Sequence, residues 1–152
     1  QSEFETIFNL LHTSDVMTYL GKTKLLDNYY SNGTRQENNN NNVKSVKKQI
    51  ICSQQFPHFK IVRSIESPSV CSGTLFMSRY KKRHTFEYKF WKYDLTEVEQ
   101  THENKTIKSW ELELEISNFI EARSKEKAFL YNSLVGKFTE LLQVVNREGN
   151  HV

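Results

Sequence analysis

Hydrophobic and polar positions along the chain change period twice. Phe4, Ile7, Phe8 and Leu11 fall at i, i+3, i+4 and i+7, the spacing of one helix face. Ser2 followed by Glu5 has the form of a capping box, a hydroxyl for an orphan backbone N–H with a carboxylate to reciprocate. The spacing predicts a helix over roughly residues 3–12, fading towards Tyr19. Residues 21–37 then carry strand and turn signals, with Asn32-Gly33 as a hairpin dipeptide. Asn38 to Asn42 is an unbroken Asn run with nothing to bury, which predicts a flexible surface loop over residues 38–42.

From Val43 to Ile116 the pattern is mostly that of strands: 48–53, 59–66, 75–88, 90–98 and 109–116, with Pro57 and Pro68 as breaks. After Ser117 the period lengthens. Ala128, Tyr131, Leu134, Phe138, Leu141 and Val145 recur every three or four residues, predicting a long amphipathic helix that stops near Gly149. Helix, antiparallel strands and helix make an α+β domain.

Length sharpens this picture. A chain of 152 residues is the size of one domain, so residues 1–152 are expected to form a single domain. It begins with Gln1, which leads us to expect preceding sequence. Hydrophobic residues make up 37%, a lean core, but ten Phe, seven Tyr and two Trp supply packing material that disordered chains lack. The net charge of +3 admits an anionic partner without requiring one. Cys52 and Cys71 form neither a disulfide framework nor zinc-ligand spacing. No apolar run is long enough to span a bilayer as a helix, so no membrane partner is expected.

The chemistry concentrates in three alternating segments. In Trp110 to Ile116, apolar residues face one side while Glu111, Glu113 and Glu115 face the other, neighbours about 7 Å apart. Like charges in a row call for something cationic opposite, either basic side chains or a hard cation such as Mg²⁺ or Mn²⁺; a solvated strand face is the plain alternative. Arg79, Lys81 and Arg83 share one strand face, and Lys92, Asp94 and Thr96 repeat that spacing. Three readings fit. One is a sheet with salt-bridged cross-strand pairs, and another is an RNA-binding sheet that uses the aromatics from Tyr80 to Tyr93. The third turns the charged faces into one cavity, where bases clamp a polyphosphate and carboxylates hold its metal. This last fits the strict alternation best and implies an antiparallel β-barrel with a polar lumen, its apolar outside packed by the flanking helices.

Arg79-Tyr80-Lys81-Lys82-Arg83, Lys92-Tyr93-Asp94-Leu95-Thr96-Glu97-Val98 and Glu111-Leu112-Glu113-Leu114-Glu115-Ile116 occur in an order and separation that resemble consecutive motifs of the tunnel-type RNA 5′-triphosphatases. These are metal-dependent mRNA-capping enzymes of the triphosphate tunnel group. The resemblance covers roughly residues 75–140. It implies that Glu111, Glu113 and Glu115 bind Mg²⁺ or Mn²⁺ and position the attacking water, and that Arg79, Lys81 and Arg83 contact phosphate and buttress the acids. Asp94 and Thr96 match the D-x-T pair of the next strand. Lys60 (with Glu66), Lys48 and Lys92 take phosphate-contacting places, with Asp27 and Arg35 as further candidates on earlier strands.

Two departures are visible. Lys92 replaces the usual Arg, a point charge in place of a bidentate fork. The family's E-x-E on its first strand has no counterpart, because Glu3-Phe4-Glu5 sits in a helical setting. The first strand is therefore expected upstream, making this the C-terminal portion of a tunnel domain and inactive alone. The resemblance also implies triphosphate-ended RNA as substrate, a guanylyltransferase partner, a homodimer and a nuclear location. The alternatives are another tunnel triphosphatase (acting on nucleoside triphosphate, thiamine triphosphate or polyphosphate) and a non-catalytic RNA-binding α+β module.

Overall fold

The computed structural model describes residues 2–149, and their side chains from residue 3 to residue 147. The order is α1 (Ser2–Thr13), seven strands, α2 (Phe119–Ala122) and α3 (Lys127–Gly149). The strands are β1 (Thr18–Tyr30), β2 (Thr34–Asn39), β3 (Asn42–Gln55), β4 (Lys60–Pro68), β5 (Leu75–Tyr88), β6 (Trp91–His102) and β7 (Lys105–Ile116). They form one antiparallel sheet ordered β4-β3-β2-β1-β5-β6-β7, so β4 and β7 are its terminal strands. No helix among the described residues is long and apolar enough to cross a membrane.

Tight turns set this order. Lys89-Phe90 joins β5 to β6 with Lys89 at φ 54°, and Glu103-Asn104 joins β6 to β7 with both residues left-handed. Such turns match the twist of the strands they connect. The Asn run is a paired hairpin where an open loop was expected. Asn38 and Asn39 pair with Val43 and Asn42, and Asn40, at φ 47°, turns the chain between β2 and β3. Asn tolerates the left-handed region that most side chains avoid, so the composition that suggested disorder serves a tight hairpin.

From the terminal strand β4 the chain returns to β5, beside β1. The returning loop is pinned to the turn between β1 and β2. Asn32 donates to the Val70 carbonyl (3.1 Å) and to Ser72 (2.9 Å), and Ser31 N–H donates to the Thr74 carbonyl (2.9 Å). Gly73, at φ 87°, passes so close that a Cβ there would overlap Ser31 Oγ.

The described chain packs as two compact units. The first comprises residues 1–22, 83–97 and 110–152. Its core is Ile7 and Leu11 of α1, Phe86 of β5, Trp91, Tyr93 and Leu95 of β6, with Phe90, Ala122 and Leu141. Leu112, Leu114 and Ile116 pack against that cluster, as the alternation in β7 predicts. Trp110 departs from the pattern. It is 42% exposed and lies outside the cluster, although helical cover was expected. The inward face of α3 also differs from the prediction: Leu130, Leu134, Leu141 and Val145 pack inwards, while Ala128 and Tyr131 are exposed. The strand β1 begins at Thr18, so the helical pattern does not reach Tyr19. The Ser2 side chain, and with it the capping box, lies outside the described residues.

The second unit comprises residues 23–82 and 98–109. Its buried side chains are mostly polar: Asp27, Thr34 and Lys81, with Val46 and Val98 as apolar filling. Ladder hydrogen bonds and ion pairs therefore carry more of this unit than apolar burial does.

In the first unit an aromatic cluster joins α1 to the sheet. The Phe8 ring lies 5.8 Å from Phe86 and 4.9 Å from His84, and Tyr19 Oη is hydrogen-bonded to His84 Nδ1 at 2.7 Å. Burial lowers the His84 pKa, helped by Lys22 and His12 and opposed by Glu97. A depressed histidine contributes stability above its unfolded value of about 6.5 and loses it as pH falls. Thermal unfolding should therefore show a lower Tm at pH 5 than at pH 7.5. His84→Gln should flatten that dependence, and an unchanged slope in the variant would exclude His84 as its source.

Candidate active site

Strand alternation builds the site. On β6 the apolar Trp91, Tyr93 and Leu95 take the helix-covered side, which leaves Lys92, Asp94 and Thr96 for the other. Asp94 and Thr96 are buried all the same. A buried carboxylate needs partners, and Asp94 has three. Thr85 Oγ1 donates to it at 2.6 Å, Arg83 Nη1 lies at 3.8 Å and Lys92 Nζ at 3.7 Å. Arg83 spans several neighbours, with Nε 3.4 Å from Thr96 Oγ1 and Nη2 3.6 Å from Glu113. Lys92 is ion-paired with Glu115. Burial alone would lower the Lys92 pKa, but its hydrogen bond to Glu115 and the charge of Asp94 outweigh that and raise it. Lys92 is therefore a fixed cation at neutral pH. In the first unit, then, Arg83, Lys92, Asp94, Thr96, Glu113 and Glu115 form one network, with half-buried Glu111 next along β7.

The second unit holds two further groups. Lys81 Nζ lies 2.5 Å from Asp27 Oδ2, with both side chains buried. Arg35 is ion-paired with Glu37 and lies 2.8 Å from Glu66 Oε1. Burial would lower the Arg35 pKa, but Glu37 and Glu66, with Tyr29 and Asp27 behind them, hold it above its usual value. Its Nε is buried and has no hydrogen-bond partner. Lys48 lies opposite Glu66 in the β3–β4 register, and Lys60 is exposed at the start of β4. Arg79 is half-buried on β5.

Two residues of these networks escaped the sequence reading. Thr85 continues the alternation beyond Arg83, and Glu37 continues it beyond Arg35. Each could have been found by extending the same i, i+2 series. Asp27 stood only as a weak candidate because its partner Lys81 is remote in sequence.

The glutamates of β7 offer carboxylate oxygen alone, the donor type that suits a hard divalent cation. Among the described residues no group of three His, Cys, Asp or Glu side chains is placed to enclose an ion. The residues present therefore fit part of a metal's ligand shell, with Glu113 and Glu115 turned instead to Arg83 and Lys92.

Cations and carboxylates interleaved on one sheet face, with helices on the other, suit a polyanion held beside an activating site. The class this defines is the triphosphate tunnel enzymes. The chain belongs to the family of the mRNA capping enzyme β chain, the mRNA triphosphatases, whose model matches residues 64–151. The structure of the RNA triphosphatase Pct1 of S. pombe superposes with a TM-score of 0.70 at 25% identity, over 97% of this chain and 68% of that one. Pct1 in complex with the Spt5 CTD gives a TM-score of 0.68 at 24% identity, over 97% and 67%. A comparison with curated proteins finds no match. The activity of this family is RNA 5′-triphosphatase, a hydrolase of mRNA capping.

The buried Asp27–Lys81 pair is open to a direct test. Lys81→Met leaves a carboxylate buried without its cation and should cost about 3–5 kcal/mol in chemical denaturation. Adding Asp27→Leu should recover most of that loss. A single variant as stable as the parent would show that the pair is not buried in solution.

Proposed function

We propose that residues 1–152 form the greater part of one triphosphate tunnel domain that removes the γ-phosphate from triphosphate-ended RNA. Coverage of 97% of this chain by the Pct1 fold supports that extent. Water attacks the γ-phosphorus, the β–γ bridging P–O bond breaks, and inorganic phosphate leaves a diphosphate-ended RNA for capping. Phosphoryl transfer of this kind is governed by positioning and electrostatic stabilisation.

The observation that carries this reading is the Arg83–Lys92–Asp94 network with Glu113 and Glu115 at its open side. Arg83 and Lys92 are held in place by a buried carboxylate, yet each also meets a glutamate that is more than half exposed, 54% for Glu113 and 55% for Glu115. An incoming phosphate can take over those outer contacts while Asp94 and Thr96 keep the cations aimed. The guanidinium fork and the ammonium then stabilise charge on the equatorial oxygens. Arg79, Lys81, Lys48 and Lys60, with Arg35, are further phosphate-contacting candidates, all of them in the second unit.

Displaced from their cations, Glu113 and Glu115 would hold a divalent ion together with Glu111 and orient the attacking water. Mg²⁺ or Mn²⁺, when bound, offsets charge on the γ-phosphate. Capping in this family is a step of nuclear mRNA processing, which supports a nuclear location and a guanylyltransferase partner.

Glu113→Ala, introduced into the protein that carries this chain, should lower metal-dependent γ-phosphate release from triphosphate-ended RNA by about a hundredfold or more. The variant should keep its fold, because Glu113 is half-exposed and Asp94 still anchors Arg83. Near-normal turnover would remove β7 from the catalytic assignment.

A further inference from the structure

Beyond Lys47 the β3–β4 hairpin becomes a two-stranded arm. The β2–β3 ladder covers only Asn42 to Lys47, whereas β3 and β4 stay paired out to Gln55 and Lys60. The tip is closed by Phe56 N–H donating to the Phe59 carbonyl at 2.8 Å. The Gln55 amide donates to the carbonyls of Phe56 and Phe59, at 2.7 and 3.0 Å. The rings of Phe56 and Phe59 stack with centroids 4.6 Å apart and planes 11° apart.

Alternation sorts the arm into two faces. Lys60 and Glu66 of β4 share one, with Lys48 opposite Glu66. Phe59, Ile61 and Arg63 share the other, where Gln54 pairs with Ile61 and Lys47 pairs with Ser67. The second face plays no part in the phosphate chemistry above. It carries exposed cations at Arg63 and Lys47, an amide at Gln54 and a preformed aromatic platform at the tip. From residue 47 to residue 66 the one acidic side chain is Glu66, which lies on the opposite face and is already bound by Arg35.

Cations without carboxylates, together with stacked aromatic rings, are what a single-stranded nucleic acid needs. The cations meet phosphates, and an exposed π-face takes a base whatever its identity. RNA requires only charge and a stacking surface, and this face supplies both.

We propose that this face of the arm, with Phe56, Phe59, Arg63 and Lys47, binds the single-stranded RNA that follows the 5′ end. The proposal rests on triphosphate-ended RNA being the substrate. Phe59 lies seven residues along β4 from Glu66, roughly 23 Å at strand rise, which leaves room for several nucleotides between them.

Fluorescence anisotropy tests it with one 20-nucleotide RNA made in 5′-hydroxyl and 5′-triphosphate forms, on the parent chain, Arg63→Glu and Phe56→Ala/Phe59→Ala. The parent should bind the hydroxyl form with an affinity that falls as salt rises. Arg63→Glu should weaken binding several-fold and flatten the salt slope. The double variant should weaken it about fivefold or more. Both should leave binding of a triphosphate-ended dinucleotide unchanged, and Arg63 is exposed. The proposal is overturned if hydroxyl-ended RNA fails to bind, or if both variants bind the 20-mer as the parent does. Failure of the substrate reading looks different: the triphosphate then adds nothing to affinity while the arm variants still weaken it.

Discussion

A carboxylate closed off from water has to be neutralised by its neighbours, and Asp94 imposes that condition on the strands around it. It draws Arg83 and Thr85 from β5 and Lys92 from its own strand, and those cations in turn collect Glu113 and Glu115 from β7. Without substrate, each cation of the resting site is already met by carboxylates. Under the proposed function, a triphosphate entering the site competes with carboxylates for cations that are already aimed, and need not organise flexible side chains from solvent. Preorganisation of this kind is how a fixed electrostatic environment lowers a barrier without reorganising during the reaction.

The same economy explains the lean composition. In the first unit every apolar residue on the covered side of β6 and most of those on β7 meet α1 or α3, so the helices complete a core that the sheet cannot form with its charged face. In the second unit polar partners replace much of that core. Thr34 and Asp27 are buried where a sandwich would place Val or Leu. A surface built to meet polyanion cannot also be greasy, and its strands must be held by ladders and ion pairs.

Much of this was legible because a strand repeats every two residues. Wherever side chains of one kind recur at i, i+2 and i+4, as at Arg79 to Arg83 or Glu111 to Glu115, a face is defined before any fold is known. The limits of the amino-acid pattern are equally physical. Asn38 to Asn42 looked disordered because composition reports the absence of apolar surface, not the ease with which Asn40 takes a left-handed turn. Along α3 the predicted Leu134, Leu141 and Val145 do pack inwards, but in the first turn Leu130 takes the inward place while Ala128 and Tyr131, which share the period, are exposed. Trp110 continues the alternation of β7, but nothing in its own segment says where cover ends. The Arg35–Glu37–Glu66 group needed the register of three strands, which no single segment contains.

The ion pair between Asp27 and Lys81 also bears on how the chain assembles. Its partners sit on β1 and β5, with β2, β3 and β4 threaded between them. Hairpins such as β5–β6 and β6–β7 close short loops and reward the chain at once. The β1–β5 seam must instead wait until the intervening ribbon has folded back on itself, because its loop-closure entropy is repaid only by contacts remote in sequence. A buried charge pair placed there serves as a latch. It gives nothing to partly folded chains in which one member is still solvated, and it favours the arrangement in which both ends of the long excursion have come together.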